Sequence, residues 1–379
     1  MTTALANAHV LTAHGWRDDL AVLVEGERIA ALLPNDHPAA RAAQAQDLDG
    51  ALLVPGFIDT QVNGGGGALF NAAPTVETIR TIGAAHRKFG TTGFLPTLIS
   101  DSVEKMRAAL AAVEQAFDAG VPGLLGVHLE GPYLAPERKG VHDPKWFHAP
   151  GEEELAMLCA PHRGVRLLTL APERVPHDAI ARLAAAGVIV NAGHTAADHA
   201  TVRAALAAGV RGFTHLFNAM TPLGSREPGV VGAALDDPGS WCGIIVDGHH
   251  VHPASLRSAV AAKPRGKTLL VTDAMPPVGA DDPAYELNGE TILAKDGICQ
   301  TANGVLAGSA LDMATAVRNS VAMLGLPLDE AVRMASTYPA DFLGLGASHG
   351  RIAVGCVANL VAMDGGCNVQ RTWINGEAS

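Results

Sequence analysis

The sequence predicts an α/β fold: a (β/α)8 TIM-like barrel with a small β-sandwich domain built from both termini. Two observations support this prediction. Eight short apolar runs in the middle of the chain alternate with Ala-rich stretches of helical spacing, and such alternation is typical of a parallel barrel. Both ends of the chain consist of short strand-like runs separated by turns. We therefore expect the small domain at residues 1–53 and 345–379 and the barrel at 54–344.

The terminal strands are indicated by apolar runs that end at turn residues. Three lie near the N-terminus and two near the C-terminus: Ala8–Thr12, Leu20–Val24, Arg28–Leu33, Asn359–Met363 and Arg371–Ile374. Strand-rich ends that flank a long middle indicate one small β domain to which both termini contribute.

The barrel strands are predicted from apolar runs rich in β-branched residues, each followed by a glycine-rich or polar turn. The runs are Phe57–Gln61, Thr92–Thr97, Leu124–Glu130, Val165–Leu170, Val188–Asn191, Gly212–His215, Cys242–Asp247 and Thr268–Asp273. Intervening stretches such as 103–119 and 196–208 hold many alanines and few β-branched residues, which favours helix. Residues 281–304 interrupt the alternation, and we expect them to form a β insertion after the eighth strand.

Charge and cysteine content exclude several classes of protein. The formal net charge of -11 opposes binding to polyphosphate backbones, so we expect no nucleic-acid partner. Five cysteines without a CxxC pair indicate reduced thiols, as in the cytoplasm. We find no signal-peptide pattern and no apolar run long enough to span a membrane, so no membrane association is expected.

The residues able to do chemistry fall at the carboxyl ends of the predicted strands, which converge on one face of a barrel. Glu130, His194 and His215 come from three different strands. A carboxylate and two imidazoles can supply three protein ligands and leave one position for water, as in catalytic zinc sites. Each histidine taken alone would be an ordinary polar residue at a strand end. The set of three, with Asp273 on a fourth strand, indicates a metal site.

Asp273 follows an apolar strand, and a lone carboxylate there can take a proton from a metal-activated water and return it to a leaving amine. The alternative is a helix N-cap, where aspartate is favoured. His142 is a candidate to polarise a carbonyl, and Arg226 and His250 are candidates to hold an anion. The alternative interpretation of His142, Arg226 and His250 is that each is a solvated loop residue that does not contact the substrate.

Eight motifs are spread over nearly the whole chain: Val54–Asp59, His128–Tyr133, Lys139–His142, Asn191–Thr195, Thr214–Met220, Asp247–His250, Val271–Ala274 and Leu306–Ser309. Together they resemble the motifs of N-acetylglucosamine-6-phosphate deacetylases in the amidohydrolase superfamily. The motif at Val54–Asp59 is shared across the superfamily, whereas those at His128–Tyr133 and Thr214–Met220 are more specific to the deacetylases.

The resemblance implies a role for each matching residue. Glu130, His194 and His215 would be metal ligands, Asp273 the general base and acid, and His142 a neighbour of the scissile carbonyl. The sugar phosphate would be bound by Asn218, Ala219, Arg226, His250, Leu306, Ala307 and Gly308. The resemblance also implies a homodimer, and because the corresponding arginine of similar proteins reaches the partner subunit's site, it implies the same for Arg226.

The chain departs from the wider superfamily at one motif. Most members carry His-x-His after the first strand to hold a second metal, whereas this chain has Gln61 and Asn63. Amides are poorer ligands than imidazoles for a zinc-like ion. We therefore expect Gln61 and Asn63 to mark a vestigial second-metal position and one divalent ion per subunit. Zinc is expected, with iron, manganese and cobalt as alternatives.

The predicted function is hydrolysis of the acetamide of N-acetylglucosamine 6-phosphate by a metal-activated water. The preference for the gluco over the galacto or manno epimer stays open, as does the pathway of the product. One alternative is another cyclic-amide or N-acyl hydrolase on the same barrel. A second is a catalytically inactive barrel used in assembly, but such relatives usually lose metal ligands, and all of Glu130, His194, His215 and Asp273 are present.

Overall fold

The computed structural model describes residues 2–295 and 297–378. Met1 and Ser379 of the predicted small domain and Asp296 of the predicted insertion lie outside the described residues. No helix in the described part of the chain combines the length and apolar character that a membrane crossing requires.

The strands, in chain order, are β1 (Thr2–Thr12), β2 (Gly15–Arg17), β3 (Leu20–Glu25), β4 (Arg28–Pro34), β5 (Gln44–Pro55), β6 (Phe57–Val62), β7 (Gly64–Gly65), β8 (Ala68–Leu69), β9 (Thr91–Ile99), β10 (Gly126–Glu130), β11 (Val165–Leu170), β12 (Ile189–Ala192), β13 (Val210–Phe213), β14 (Trp241–Ile244), β15 (Thr268–Leu270), β16 (Ala284–Leu287), β17 (Glu290–Lys295), β18 (Ile298–Gln300), β19 (Leu306–Ser309), β20 (Leu360–Met363), β21 (Val369–Ile374) and β22 (Glu377–Ala378).

The α-helices are α1 (Pro38–Ala42), α2 (Val76–Arg87), α3 (Val103–Asp118), α4 (Glu152–Cys159), α5 (His177–Ala185), α6 (His199–Ala208), α7 (Gly229–Asp236), α8 (Pro253–Ala262), α9 (Met313–Leu324), α10 (Leu328–Ala335) and α11 (Thr337–Phe342). Short 3-10 turns occur at Pro136–Arg138, Pro144–Trp146 and Pro172–Arg174. Side-chain caps fix several helix starts: Ser102 accepts from Lys105 N at α3, and Asp198 accepts from Thr201 N at α6.

Strands from both termini form one hydrogen-bonded sheet, in the order β22-β21-β20-β5-β1-β3-β4, with β2 paired to β1. The parallel β1–β5 pair lies at its centre, and β20 joins the C-terminal strands to β5 in antiparallel register. One face buries a cluster that includes Val10, Val22, Leu53, Leu360 and Trp373. The prediction that both termini build one β structure is confirmed.

The predicted barrel is also confirmed. Its eight strands follow chain order, β6-β9-β10-β11-β12-β13-β14-β15, and each pair from β9 to β15 is parallel. Strands β9, β10 and β11 are buried along their whole length, because parallel strands are covered on both faces. At the site end, the first strand bonds to the segment after the last: Asp273 N donates to Gln61 O (3.0 Å), and Asn63 N to Ala274 O (2.9 Å).

A four-stranded antiparallel sheet, β16-β17-β18-β19, follows the eighth barrel strand. Its last strand returns to the barrel mouth, where Ser309 bridges Ala274 in parallel. Ser309 N donates to Asp273 O (2.9 Å), and the Ser309 hydroxyl donates to Thr272 O (2.6 Å). The sheet therefore places Leu306–Ser309 beside the segment that carries Asp273.

The described chain divides into two compact units. The first comprises the residues up to Asp59, His86–Gly93 and the residues from Asp312 onward, and it holds the terminal sheet and helices α9 to α11. The second comprises Thr60–Ala85 and Phe94–Leu311, and it holds every candidate site residue.

Candidate metal and catalytic centre

The carboxyl ends of the barrel strands bring the candidate residues together. Glu130 ends β10, while His194, His215 and Asp273 follow β12, β13 and β15 by two or three residues. They surround a cavity of about 340 Å³, a volume typical of small-molecule sites. The described residues that line it are Asn63, Ile99, Glu130, Glu137, Arg138, Gly140, Val141, His142, His194, His215, Asn218, Ala219, His250, Asp273, Met275, Val305, Leu306 and Gly308.

Glu130, His194 and His215 offer ligand atoms that lie within 4.8 Å of one another. Glu130 Oε1 is 2.9 Å from His215 Nε2 and 3.3 Å from His194 Nε2, and the two Nε2 atoms are 3.1 Å apart. All three side chains are buried. Burial opposes ionisation of Glu130, but hydrogen bonds to His194 and His215 bring its pKa well below the ordinary value. The trio therefore presents a carboxylate and two imidazoles to one point.

A backbone hydrogen bond orients the His194 ring for metal binding. Its Nδ1 lies 2.8 Å from the carbonyl oxygen of Arg138, and a carbonyl can only accept a hydrogen bond. The Nδ1 therefore carries a proton, and Nε2 is the ring nitrogen that faces the cluster and is available to a metal ion. A backbone carbonyl behind a ligating imidazole is the usual support for such a ligand. The donor set suits a divalent cation.

Three site residues adopt left-handed backbone conformations, with φ of 47° at His194, 32° at His215 and 53° at Asp273. Such conformations cost a non-glycine residue roughly 1–2 kcal/mol. A backbone hydrogen bond holds the first of them: Ala135 N donates to His194 O at 2.9 Å. Each strand thus turns sharply at its end, and the side chain enters the cavity.

Asp273 is partly buried and is held by two amides. Its Oδ1 accepts from Asn63 Nδ2 at 2.6 Å and from Gln61 Nε2 at 3.1 Å. The same Gln61 nitrogen lies 3.2 Å from both oxygens of Glu130. Burial and the charge of Glu130 raise the pKa of Asp273. Gln61 and Asn63 therefore act as hydrogen-bond donors to the two carboxylates.

His142 is buried beside the cluster, with its ring centroid 4.4 Å from that of His194. Its Nδ1 accepts from the backbone N–H of Ser100 at 3.2 Å and lies 2.8 Å from the Ser100 hydroxyl. Burial and the neighbouring His194 lower the pKa of His142 well below its ordinary value. The ring is therefore neutral, with its proton on Nε2, and can donate a hydrogen bond.

His250 lines the cavity and is held by Asp247. The His250 Nδ1 lies 2.6 Å from Asp247 Oδ2, while Asp247 Oδ1 accepts from the backbone nitrogens of His249 and His250. Burial disfavours the Asp247 carboxylate, but the bond to His250 lowers its pKa. The aspartate thus fixes the orientation of the His250 ring.

The structure brings most, but not all, of the predicted substrate contacts to the cavity. Those that line it are His142, Asn218, Ala219, His250, Leu306 and Gly308. Ala307 is buried with Tyr285 in an apolar cluster, where its carbonyl accepts from the tyrosine hydroxyl at 2.5 Å. Arg226 is exposed and does not belong to the described residues that line the cavity.

Comparison with known proteins agrees with this geometry. Residues 52–378 match the profile of the amidohydrolase family.

The chain belongs to the amidohydrolase family.

Its relatives are sugar-phosphate deacetylases by name. An N-acetylgalactosamine-6-phosphate deacetylase of Shewanella sp. (strain ANA-3) is 47% identical over 87% of this chain and 84% of the relative. An N-acetylglucosamine-6-phosphate deacetylase of Haemophilus influenzae is 36% identical over 100% of this chain and 99% of the relative. The crystal structure of N-acetylglucosamine-6-phosphate deacetylase from Pasteurella multocida matches with a TM-score of 0.96, at 38% identity over 100% of both chains. The predicted superfamily is confirmed.

Sequence reasoning missed two residues that orient the histidines of this amidohydrolase. Ser100 directly follows β9, which runs to Ile99, whereas the predicted strand ended at Thr97. A longer predicted strand would have placed Ser100 at the site. Arg138 acts through its carbonyl oxygen, which any residue could supply, so its side chain gave no signal for that contact.

The amidohydrolase site predicts which substitutions abolish metal binding. Glu130→Ala and His194→Ala each remove one of three ligands, and we expect metal content after Zn²⁺ loading and desalting to fall from about one ion per chain to near zero. His177→Ala, at an exposed histidine on α5, is the control and keeps its metal. Elemental analysis by mass spectrometry gives the stoichiometry. Full metal content in both ligand variants would contradict the site.

Proposed function

We propose that the protein hydrolyses the acetamide of N-acetylglucosamine 6-phosphate to glucosamine 6-phosphate and acetate. The observation that carries this proposal is the grouping of Glu130, His194 and His215 with a carboxyl, Asp273, and a neutral imidazole, His142, around one cavity. These are the groups that hydrolysis of an amide requires: a source of activated water, a proton acceptor and a donor to the carbonyl. The relatives named as deacetylases of this sugar phosphate support the choice of substrate.

Glu130, His194 and His215 would hold one divalent ion. Zinc is the ion we propose, and iron, manganese and cobalt suit the same donors. When bound, the ion supplies a water of lowered pKa and polarises the acetyl carbonyl. Gln61 and Asn63 donate hydrogen bonds where other amidohydrolases place metal-binding histidines, which supports a single ion.

Asp273 would move the proton in both halves of the reaction. Its Oδ1 is occupied by Asn63 and Gln61, so Oδ2 is the oxygen to accept a proton from the attacking water. The raised pKa of Asp273 favours keeping that proton until the C–N bond breaks. The proton then passes to the departing amine. The Nε2–H of His142 would donate to the carbonyl oxygen as negative charge develops there.

The sugar phosphate would be held by residues around the rest of the cavity. His250, oriented by Asp247, is suited to the phosphate, and Asn218, Ala219 and the Leu306–Gly308 backbone to the sugar. Arg226 is exposed and outside the cavity of its own subunit, which supports a homodimer in which it completes the partner's site. The free cysteines 159, 242, 299, 356 and 367 support a reducing compartment, and we propose the cytoplasm.

N-acetylgalactosamine 6-phosphate is a second candidate substrate, because a relative named for it is 47% identical to this chain. The two sugars differ only in the configuration at C4, so the same metal and proton-transfer groups serve both. The candidates therefore differ in selectivity and not in mechanism.

The first experiment measures acetate release from both 6-phosphates and from unphosphorylated N-acetylglucosamine. We expect the phosphorylated sugars to be cleaved with kcat/KM at least about 100-fold above that of the unphosphorylated one, because remote binding energy orients the carbonyl. Chelation should abolish release and added Zn²⁺ should restore it. No release from either 6-phosphate by metal-loaded protein would refute the function, and the ratio between them decides the epimer.

Asp273→Asn should lower kcat by about 10²- to 10⁴-fold, because an amide cannot accept the proton. Bound zinc should persist, since Asp273 is outside the ligand trio. Asp198→Asn is the matched control: Asp198 caps helix α6, and asparagine caps a helix equally well. Steady-state kinetics and elemental analysis of both variants test the assignment. A kcat near that of the unaltered protein in Asp273→Asn would exclude the proposed role.

Mixing two defective variants tests the homodimer. Arg226→Ala should raise KM for the phosphorylated sugar, because the phosphate loses a charged partner. If Arg226 acts across subunits, Arg226→Ala and Asp273→Asn chains refolded or co-expressed together should show, at low substrate concentration, a higher activity than either variant alone. One site of each mixed dimer then has both residues intact. No recovery, with mixed dimers shown by differential tags, would assign Arg226 to its own subunit or to no site.

A further inference from the structure

A buried layer of polar side chains crosses the barrel interior directly beneath the ligand trio. It comprises Thr97, His128, Thr169, Asn191 and Thr214, which are buried and come from five neighbouring strands or strand ends. His128 lies at its centre, with Nδ1 3.2 Å from the Thr97 hydroxyl and Nε2 2.8 Å from the Thr169 hydroxyl. None of these side chains takes part in the proposed reaction.

With the Asn191 amide nitrogen facing Thr214, the hydroxyl hydrogens of this layer can be placed in one consistent direction. The Asn191 amide nitrogen donates to the Thr214 hydroxyl at 3.4 Å, and that hydroxyl lies 2.6 Å from Thr169. If Thr214 donates to Thr169, the Thr169 hydrogen is directed at His128 Nε2. The Nδ1–H of His128 then donates to Thr97, whose own hydroxyl donates to the Leu95 carbonyl at 3.2 Å. The opposite direction leaves the Thr214 hydrogen facing the Asn191 amide donor.

Each metal ligand lies within two residues of a layer residue or directly after a glycine that packs on the layer. His128 is two residues before Glu130 on β10, so both side chains point to the barrel interior. Thr214 directly precedes His215. Gly193, which directly precedes His194, packs so tightly on the layer that a Cβ there would lie 2.6 Å from Thr169 and 3.1 Å from Thr214.

We propose that His128 is a positioning residue for the metal centre. Its neutral imidazole accepts from Thr169 and donates to Thr97, and these two bonds set the spacing of the strand ends that present Glu130, His194 and His215. A side chain that fills the space without both bonds would let the ligands shift. The inference rests on the metal site proposed above.

Cobalt binding tests the proposal without reference to activity, because the visible absorption of bound Co²⁺ reports ligand geometry. We expect His128→Leu and Thr169→Val each to weaken Co²⁺ binding about 10- to 100-fold, as the loss of groups behind metal ligands does. Both should change the absorption bands. His128→Gln retains one acceptor and one donor, and it should recover much of the lost affinity. The double variant His128→Leu with Thr169→Val should lose less Co²⁺ affinity than the sum of the two single losses, because both substitutions remove the His128–Thr169 bond.

Ser320→Ala is the matched control, since it removes a buried hydroxyl whose bond goes to Ala316 O within helix α9. It should lower the melting temperature but leave Co²⁺ affinity and spectrum unchanged. Unaltered binding and spectrum in Thr169→Val would overturn the proposal, even if His128→Leu does not fold. Equal losses in Ser320→Ala would also overturn it, because general destabilisation would then explain the effect. If the unaltered protein does not bind Co²⁺, both the proposed metal site and the positioning role of His128 are contradicted.

Discussion

Two carboxylates, Glu130 and Asp273, contact the same amide nitrogen of Gln61 in a cavity at the barrel mouth. Like charges held this close repel each other strongly where water is scarce. The surrounding residues offset that repulsion in two different ways. Imidazoles face Glu130 and lower its pKa, whereas neutral amides face Asp273 and leave its pKa raised. The two carboxyl groups therefore differ in proton affinity, one suited to hold a cation and the other to carry a proton.

This division explains why amides occupy the positions after the first strand. A histidine at either position would add a second cation site next to Asp273 and tie its oxygens to a metal. Gln61 and Asn63 instead donate hydrogen bonds to Asp273 Oδ1.

Hydrogen bonds also determine which ring nitrogen of each histidine carries a proton: a carbonyl fixes a proton of His194 on Nδ1, and a backbone N–H fixes that of His142 on Nε2. The same ring type thus serves as a metal ligand and as a hydrogen-bond donor.

Much of the fold could be predicted because parallel strands buried on both faces read as continuous apolar runs, and the polar residues that end those runs meet at one rim. Four residues, Glu130, His194, His215 and Asp273, were found in this way and lie around one cavity. Contacts made by backbone atoms could not be predicted from the sequence. Any residue could supply the Arg138 carbonyl that contacts His194, so the residue type does not reveal this contact. His194 also adopts a left-handed backbone conformation that glycine usually occupies, so the sequence does not indicate this turn.

The sheet formed by β16 to β19 supplies Leu306 and Gly308 to the cavity, whereas every group assigned to metal binding or proton transfer comes from the barrel strands and the loops that follow them. The proposed sugar contacts therefore come from two stretches of sequence: Leu306–Gly308 from the inserted sheet, and Asn218 and Ala219 from the loop after β13. Substitutions within the inserted sheet can reshape one wall of the cavity while Glu130, His194, His215 and Asp273 stay on the barrel strands and their loops. One wall of the substrate cavity is thus free to diverge while the catalytic groups stay fixed.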